Sequence, residues 1–403
     1  MTEQGLSDIK VLDLTWHIAG PYCTKYLADS GAEVIKVERP GSGDPVRHMP
    51  PFFKDDPHPE KSGLFLHLNT NKQGITLNLK SERGREIFKE LVKDADLLVE
   101  SFRPRVMPGL GLGYEELEKI NPRLVMVSIT SFGQTGPYKE FKATDMIIYG
   151  MGGAMFWTGL PEREPLRLGG TVTSYQVGVM AATAAMTVLY GAEKRGYGEH
   201  IDVAAYEVTR GDIDRASTDL TAYQYCGDYD ERQASGMSQY PYGIFPCKDG
   251  FFDMAGGGVV FFPRVARMLG RPELNKEYGT NQAQADSQKR EEFLTEIFQP
   301  WLLERTRQEL WEAAQKANIL SAPIYNFQDL LKDSHYRERK YWQEIEHPAT
   351  GKHLYPGAPY CAEDMPWEVR NPAPLLGQHN GEVYGALGYS EEEITKLEEG
   401  GVI

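Results

Sequence analysis

Residues suited to binding an anion follow two predicted strands near the start of the chain. The segment Trp16–Ala19 follows the apolar run Ile9–Leu14 and leads through Gly20 and Pro21 into a helical pattern. Arg39 follows a second run, Glu33–Val37, and precedes a glycine-rich segment. The free N–H groups of a helix N-terminus and an arginine guanidinium both bind phosphates well. The pattern predicts a small-anion site, and Arg39 in a surface ion pair is the alternative interpretation.

Motifs for several common chemistries are absent from the sequence. There is no GxSxG, HExxH or GxxxxGK[ST] segment. The cysteines, at positions 23, 226, 247 and 361, form no CxxC pair. We therefore predict no metal site and a chain with reduced thiols, located in the cytoplasm. His17 stands where open α/β sheets place ligands. Two interpretations of His17 are open: its side chain lines a pocket, or it has no role there.

The elements that must position these residues alternate in type along the N-terminal third. Predicted strands lie at 9–14, 33–37, 77–79, 97–99 and 124–129. Between the third and fourth, Ile87, Phe88 and Leu91 lie on one face of a helix that Ser81 can cap. Such alternation predicts a doubly wound α/β fold with a parallel sheet.

The rest of the sequence predicts an Ala-rich helix, a smaller α/β unit from about 225 to 320, and then loops rich in Pro and Tyr before a terminal helix. Val177–Leu189 is an Ala-rich pattern, which we interpret as a buried helix and not as a membrane span. Gly243–Phe245 and Phe251–Met254 are predicted strands. Thr306 with Glu309 forms a capping-box pattern, and Ser390–Leu397 is a terminal helix signal.

Charge excludes some partners. The chain of 403 residues has 43 Lys and Arg against 58 Asp and Glu, a net charge of −15. Nucleic acids and anionic membranes need clustered cations, so neither is a predicted partner. A local positive pocket for a small anion is still compatible with this balance.

The sequence resembles the class III CoA-transferases of the formyl-CoA transferase or CaiB–BaiF type. The segments that carry the resemblance span the chain: Val11–Thr15, Ala19–Pro21, Gly31–Asp44, Asn71-Lys72, Leu77–Lys80, Val99–Pro104, Ser131–Tyr138, Gly196–Glu199, Pro374–His379 and Leu387–Ser390. The resemblance implies a large doubly wound domain built from both chain ends, residues 1–220 and 326–403. It also implies a small α/β domain over residues 221–325 and an interlocked dimer.

The resemblance also implies which residues contact coenzyme A, here a substrate. They are Ile18, Ala19, Arg39, Leu77, Asn78, Leu79, Lys80, Ser101, Phe102 and Lys142. The chain departs from the family at Gly109, where an arginine is common. One phosphate contact is therefore expected to be missing.

A second departure concerns the nucleophile. Family transferases carry an aspartate where this chain has Ser174, and the related racemases add a histidine where it has Thr144. A serine can form an ester but cannot carry CoA as a thioester. The resemblance therefore predicts neither transferase nor racemase chemistry from this chain alone. Asp145 is interpreted as a capping or hydrogen-bonding residue, with a substitute nucleophile as the minor alternative.

These points predict a pseudo-active-site subunit that pairs with an aspartate-containing paralogue. The resemblance implies transfer of CoA from succinyl-CoA to a carboxylic acid, with benzylsuccinate in anaerobic toluene degradation as the expected acid. His17 and Tyr175 are substrate-pocket candidates. Other aromatic residues could line a pocket for an aryl acid or belong to cores and interfaces: Tyr149, Phe156, Trp157, Tyr223, Tyr225, Tyr240 and Tyr242. The alternatives are a homodimeric hydrolase or lyase using Asp145 or Ser174, and a CoA-binding regulatory protein.

Overall fold

The chain divides into two compact units. The computed structural model describes residues 4–211, 214–228, 232 and 239–403. Unit 1 comprises Met1–Thr158, Leu166–Tyr229 and Glu338–Ile403, and unit 2 comprises Gly159–Pro165 and Asp230–Arg337. Unit 1 therefore contains segments from both ends of the chain.

Six parallel strands form the sheet of unit 1. They are β1 Lys10–Leu14, β2 Glu33–Glu38, β3 Lys72–Thr76, β4 Leu97–Glu100, β5 Val125–Thr130 and β6 His200–Ala204. Their spatial order is β3-β2-β1-β4-β5-β6, so the winding reverses between β1 and β4. The predicted parallel α/β sheet is confirmed. In open sheets of this kind, ligands bind outside the carboxyl ends of the strands at such a reversal.

The helices of this part of unit 1 begin after β1. They are α1 Ala19–Asp29, α2 Gly63–Leu68, α3 Glu82–Val92, α4 Val106–Gly109, α5 Tyr114–Leu117, α6 Asp145–Met151, α7 Val172–Arg195, α8 Ala205–Gly211 and α9 Asp214–Cys226. Short 3-10 turns lie at Pro45–His48, Phe53–Asp55 and Ala154–Trp157. The cap predicted for α3 is confirmed, because Ser81 Oγ accepts the Gly84 N–H at 2.9 Å.

Alternating strand residues give unit 1 a hydrophobic core on each face of its sheet. Leu12 and Leu98 contribute to the core that also contains α3. Val11 and Val99 point to the opposite face and contribute to the core that contains α1 and α7. Burial on both faces explains why the strands read as nearly continuous apolar runs.

Helix α7 is the Ala-rich segment. By length and composition alone it is apolar enough to cross a membrane. Its residues Val177, Ala181 and Ala185 are buried in the core shared with α1. Val179 and Tyr190 on its other side are exposed, so the helix is buried on one face only.

Unit 2 is a small α/β unit around an antiparallel sheet. Its strands are β7 Tyr242–Cys247, β8 Gly250–Ala255 and β9 Leu320–Pro323. Its helices are α10 Gly258–Met268, α11 Leu274–Tyr278, α12 Asn281–Ala285, α13 Ser287–Glu292, α14 Gln299–Leu303, α15 Arg307–Lys316, α16 Phe327–Lys332 and α17 Ser334–Glu338, with a π-helical turn at Phe293–Phe298. The hairpin predicted for residues 243–254 and the capping box of Thr306 and Glu309 are confirmed.

The C-terminal segment completes unit 1. It forms the hairpin β10 Trp342–His347 and β11 Gly351–Pro356, then α18 Asn380–Ala386 and α19 Glu391–Glu399. Tyr384 in α18 donates to the Thr76 carbonyl at 2.6 Å. The predicted terminal helix is confirmed as α19, with Ser390 as its cap.

The prediction of a strand at 77–79 is wrong. The strand is β3, Lys72–Thr76, and Leu77 makes only one further backbone hydrogen bond, to the Glu38 carbonyl at 2.8 Å. The chain then turns, because Asn78 accepts the N–H of Lys80 and its carbonyl accepts the N–H of Ser81. The alternation of leucines at 77 and 79 reflects anchoring of this turn in the core beside α3.

Candidate functional site

The segments that follow β1 and β4 meet at the reversal of the sheet. The Trp16 N–H donates to Ser101 Oγ at 2.9 Å, which joins the two strand ends directly. The Trp16 ring meets Phe102 edge to face, with centroids 5.2 Å apart. The topology therefore places a cluster of predicted site residues where open α/β sheets bind ligands.

Arg39, at the end of β2, reaches the same cluster. Its guanidinium carbon lies 4.3 Å from the centre of the Trp16 ring, a cation–π contact. The Arg39 side chain is exposed, and among the described residues no Asp or Glu lies within ion-pair distance of it. The described residues therefore give no support to the interpretation of Arg39 as half of a surface ion pair. The guanidinium is free to meet an anion from solvent.

His17 has a strained backbone. Its φ is +66°, in the left-handed region that residues other than glycine seldom adopt. The His17 N–H donates to Asp44 Oδ1 at 3.2 Å, and Asp44 pairs with the buried Lys36 at 3.0 Å. This conformation leaves the imidazole exposed beside the reversal of the sheet.

Glu100, the last residue of β4, holds the backbone of Phe102 by a hydrogen bond. It is 2% exposed, and its Oε2 accepts the Phe102 N–H at 2.7 Å. Burial raises the pKa of Glu100 to about 7, although the hydrogen bonds from Ser128 and Phe102 act in the lowering direction. A protonated carboxyl therefore persists in the fold at pH values where an exposed glutamate is ionised.

The raised pKa of Glu100 predicts that the stability of the fold depends on pH. Because its pKa is raised in the folded state, its contribution is full below the unfolded pKa and is lost as pH rises towards 7. Glu100→Gln cannot ionise, so we expect its unfolding free energy relative to wild type to rise by about 2 kcal/mol between pH 5 and pH 8. Urea unfolding at both pH values measures this. Glu118→Gln, on the exposed surface, is the control, and an equal response of both variants would contradict the prediction.

Ser174 and Asp145 contact each other. Ser174 is the third residue of α7, and both its N–H, at 2.8 Å, and its Oγ, at 2.9 Å, donate to Asp145 Oδ2. The carboxylate thus satisfies one of the free N–H groups at the start of α7, where negative charge is favoured. The structure therefore gives Asp145 the hydrogen-bonding role that the sequence favoured.

A close approach of α1 and α7 brings the strand end near Ser174. Gly178 lies one turn after Ser174, and a Cβ built on it would be 2.6 Å from the Ala19 carbonyl oxygen and 3.1 Å from Tyr22 Cβ. Ala19 is one of the residues expected to contact CoA. Unit 1 therefore places one expected CoA contact, Ala19, and the nucleophile position, Ser174, on two helices that touch.

Gly178→Ala is expected to lower the unfolding free energy by about 1–3 kcal/mol, because the new methyl group must displace backbone. The control is Gly191→Ala on the same helix, where an added Cβ meets nothing within 4 Å. That control is expected to be stabilised by about 0.5–1 kcal/mol, as usual for Gly→Ala in a helix. Thermal unfolding of both variants tests this, and equal effects would refute the close-approach argument.

The remaining expected CoA contacts lie at different distances from this cluster. Leu77 and Leu79 pack in the same core cluster as Phe102, while Lys80 is exposed after the turn. Lys142 is also exposed, in a loop whose Glu140 lies 3.8 Å from Arg105. Among the described residues, no hydrogen bond or ion pair ties Lys142 to Trp16 or Arg39. At Gly109 an added Cβ would meet nothing within 4 Å, so a side chain has room there.

Tyr175 belongs to an aromatic cluster in unit 1. Its ring lies 4.6 Å from Tyr22 and 6.2 Å from His67. Burial lowers the pKa of His67 to about 4, so this imidazole is neutral at pH 7. Tyr240 is 1% exposed in the core of unit 2, and Tyr225 is exposed on unit 1. For Tyr240 the interpretation as a core aromatic is confirmed.

Comparison with known proteins identifies the class. The model of CoA-transferase family III matches residues 6–380, and the chain belongs to that family. A succinyl-CoA–D-citramalate CoA-transferase of Chloroflexus aurantiacus is 32% identical over 98% of this chain and 96% of its own length. Subunit BbsE of the succinyl-CoA:(R)-benzylsuccinate CoA-transferase of Thauera aromatica is 31% identical over 98% and 97%. A crystal structure of a CAIB/BAIF family protein from Brucella suis superimposes with a TM-score of 0.84, at 30% identity, over 96% of this chain and all of that one.

Three residues of the site were not assigned a role from the sequence. Trp16 contacts Arg39, Ser101 and Phe102, yet it was noted only as part of a strand end. Asp44 fixes the backbone of His17, and Glu100 fixes that of Phe102. The available signal was position in the sequence, since Trp16 lies two residues before Ile18 and Glu100 directly precedes Ser101.

Proposed function

We propose that this chain is the subunit without a nucleophile in a heteromeric family III CoA-transferase. The enzyme moves CoA from succinyl-CoA to a carboxylic acid, with benzylsuccinate in anaerobic toluene degradation as the proposed acid. The observation that carries the proposal is Ser174 at the start of α7, where its hydroxyl donates to Asp145. Two relatives support the donor, because the names of both the Chloroflexus and the Thauera proteins begin with succinyl-CoA.

The transfer reaction requires a carboxylate at position 174. A nucleophilic carboxylate attacks the thioester carbonyl, expels CoA thiolate and forms a mixed anhydride. The thiolate then attacks the enzyme's acyl carbon, releases the first acid and leaves an enzyme–CoA thioester. The acceptor carboxylate attacks that thioester, expels the thiolate and forms a second mixed anhydride. The thiolate then attacks the acceptor's acyl carbon, which forms the new acyl-CoA and releases the enzyme carboxylate. Ser174 has no acyl carbon of its own, so the second step has no place on this chain.

CoA binding by this chain is supported by the cluster at the sheet reversal. Arg39, which has no ion pair among the described residues, supplies an exposed cation for a phosphate over the ring of Trp16, and Trp16 in turn contacts Ser101 and Phe102. The proposed CoA position therefore rests on the convergence of these residues at one strand-end crevice.

The proposed partner is an aspartate-containing paralogue in an interlocked dimer. Unit 1 exposes several large apolar side chains near Asp145, among them Met146 at 49%, Ile147 at 41% and Phe141 at 60%. Exposed apolar groups clustered in this way are typical of interaction surfaces. The Thauera relative is itself named as a subunit.

A second candidate, a homodimeric hydrolase or lyase, is favoured by one observation. The Asp145 carboxylate lies 2.9 Å from Ser174 Oγ, so a carboxylate is present beside the nucleophile position. Under that function Asp145 or Ser174 acts directly on the acyl-CoA, and no partner is needed.

Co-expression with a paralogue that has aspartate at the position of Ser174 tests the proposal. We expect the purified pair to transfer CoA from succinyl-CoA to benzylsuccinate, and the chain alone to transfer none. Turnover by the chain alone at the rate of the pair would refute the proposal. Hydrolysis of acyl-CoA by the chain alone would establish the second candidate, and CoA binding without turnover in either form would indicate a regulatory protein.

A further inference from the structure

We propose that Trp16 is a positioning residue of the CoA site, acting by holding the Arg39 guanidinium in place for a phosphate group. The inference rests on the proposed CoA binding and adds to it a residue that neither the motifs nor the comparisons assign. It follows from the contacts around one indole ring.

The Trp16 ring lies between two residues expected to touch CoA. Arg39 lies over its face at 4.3 Å, and Phe102 meets the ring at 5.2 Å with an interplanar angle of 84°. The backbone of Trp16 is fixed independently, because its N–H donates to Ser101 Oγ at 2.9 Å. Three expected CoA contacts therefore converge on a fourth residue, which itself lies at the sheet reversal.

The contact with Trp16 changes what Arg39 can do. An exposed arginine side chain samples many rotamers, and ordering it on binding costs free energy. A guanidinium that lies on an indole face is already restricted, while its N–H groups stay available at the edge of the plane. Among the described residues no carboxylate competes for it. Arg39 is thus held without being neutralised, which suits a phosphate ligand.

The backbone on either side of this pair is also constrained. After Arg39 the chain turns through Gly41 and Gly43, both at positive φ. A Cβ on Gly43 would lie 2.7 Å from Arg47 Cδ and 2.8 Å from Glu38 Oε1. The buried Glu38–Arg47 ion pair, at 2.7 Å, anchors the turn beneath. The backbone positions from which the Trp16 and Arg39 side chains extend are therefore both fixed.

The test measures CoA affinity by isothermal titration calorimetry on the full chain, alone and in complex with its partner subunit. Trp16→Ala is expected to weaken CoA binding about fivefold, the range of an exposed cation–π contact. Trp16→Phe keeps an aromatic face and is expected to lose less than Trp16→Ala. The matched control is Trp301→Phe in unit 2, whose ring carries Arg305 at 4.1 Å, and we expect no change in CoA affinity.

A double-mutant cycle separates positioning from general support of the fold. Arg39→Gln is made alone and together with Trp16→Ala. If Trp16 acts through Arg39, its removal changes affinity less than about twofold once Arg39 is gone, because the coupling is lost. A fivefold loss that persists in the Arg39→Gln background would overturn the inference, as would wild-type affinity in Trp16→Ala.

Failure of the proposed CoA binding can be distinguished from failure of the inference about Trp16. If the wild-type chain binds no CoA in either form, the proposed CoA function is wrong and the inference falls with it. If wild type binds CoA and only the Trp16 results disagree, the inference alone is wrong. Thermal unfolding of each variant accompanies the titrations. If Trp16→Ala does not fold, the same CoA titrations are made on Trp16→Phe and Trp16→Leu. Each of these is measured with and without Arg39→Gln, and the double-mutant cycle is evaluated from them.

Discussion

Replacing Ser174 by aspartate is expected to give the chain alone CoA transfer at least about tenfold above the background of the assay, whereas the wild-type chain alone transfers none. The substitution supplies the acyl carbon on which CoA can be carried as a thioester. The new carboxylate will lie beside Asp145, whose Oδ2 is 2.9 Å from the present hydroxyl. Because two nearby carboxylates raise each other's pKa, adding Asp145→Asn is expected to increase the gain at neutral pH.

The assay is transfer of CoA from succinyl-CoA to benzylsuccinate, followed by separation of the thioesters. Ser174→Asn is the matched control, since it has similar size and no nucleophilic carboxylate. In the complex with the partner, Ser174→Ala and Asp145→Asn are both expected to leave the rate within about twofold, far below the losses caused by removing a nucleophile. Loss of activity in either of these variants would show that this chain takes part in the chemistry.

The largest expected effect on stability comes from Asp13. Its carboxylate is 0% exposed and accepts from Lys72 Nζ at 3.0 Å and Thr24 Oγ1 at 2.7 Å, with Thr15 as a further donor. Burial acts to raise the pKa of Asp13, but Lys72 and Lys36 together hold it below its ordinary value. Removing this carboxylate leaves the buried Lys72 ammonium without a counter-charge, while Lys36 still pairs with Asp44. We expect Asp13→Ala to lower the unfolding free energy by about 3–5 kcal/mol.

Urea unfolding near pH 7 measures this effect. Glu116→Ala is the control, because the Glu116–Lys119 pair is exposed and such pairs contribute less than about 1 kcal/mol. The double variant Asp13→Leu with Lys72→Met is expected to recover part of the loss, since no unpaired charge then remains at that pair. Equal losses in Asp13→Ala and Glu116→Ala would contradict the argument.

Acid is expected to weaken the ion pair between Asp13 and Lys72. Because the pKa of Asp13 is depressed in the folded state, its contribution to stability is present above the unfolded pKa and is lost as pH falls below it. This is the opposite direction to Glu100, whose contribution is lost as pH rises. Asp13 and Glu100, two of the buried carboxyls of unit 1, therefore limit stability from opposite ends of the pH scale.

Local sequence signals predicted those elements whose pattern depends only on neighbours in the chain. The spacing of Ile87, Phe88 and Leu91 placed α3, and Ser81 placed its start. The hairpin β10–β11 was missed because its residues mix charges and aromatics without a clean alternation of apolar and polar side chains. The strand at 77–79 was wrong because a buried turn can show the same alternation as a strand.

The site could be predicted only in part, because its contacts depend on the order of strands in the sheet. Arg39 and Ser101 were named from motifs, but their meeting at Trp16 requires β4 to lie next to β1, which no local pattern encodes. The left-handed backbone of His17 follows from its hydrogen bond to Asp44, 27 residues further along the chain. Long-range pairings of this kind need the fold first.

The split of unit 1 has a consequence for how the chain is made on the ribosome. The Asn78 N–H donates to the Val402 carbonyl at 2.7 Å, and Ile403 is buried in the core of the first strands. That core cannot close until Val402 and Ile403 have left the exit tunnel, whereas the last residue of unit 2, Arg337, is made some sixty residues earlier. Nascent chains therefore hold all six strands of the sheet with one of its two cores incomplete while unit 2 already folds. Binding of the proposed partner subunit during that interval would link assembly in time to the synthesis of residues 338–403.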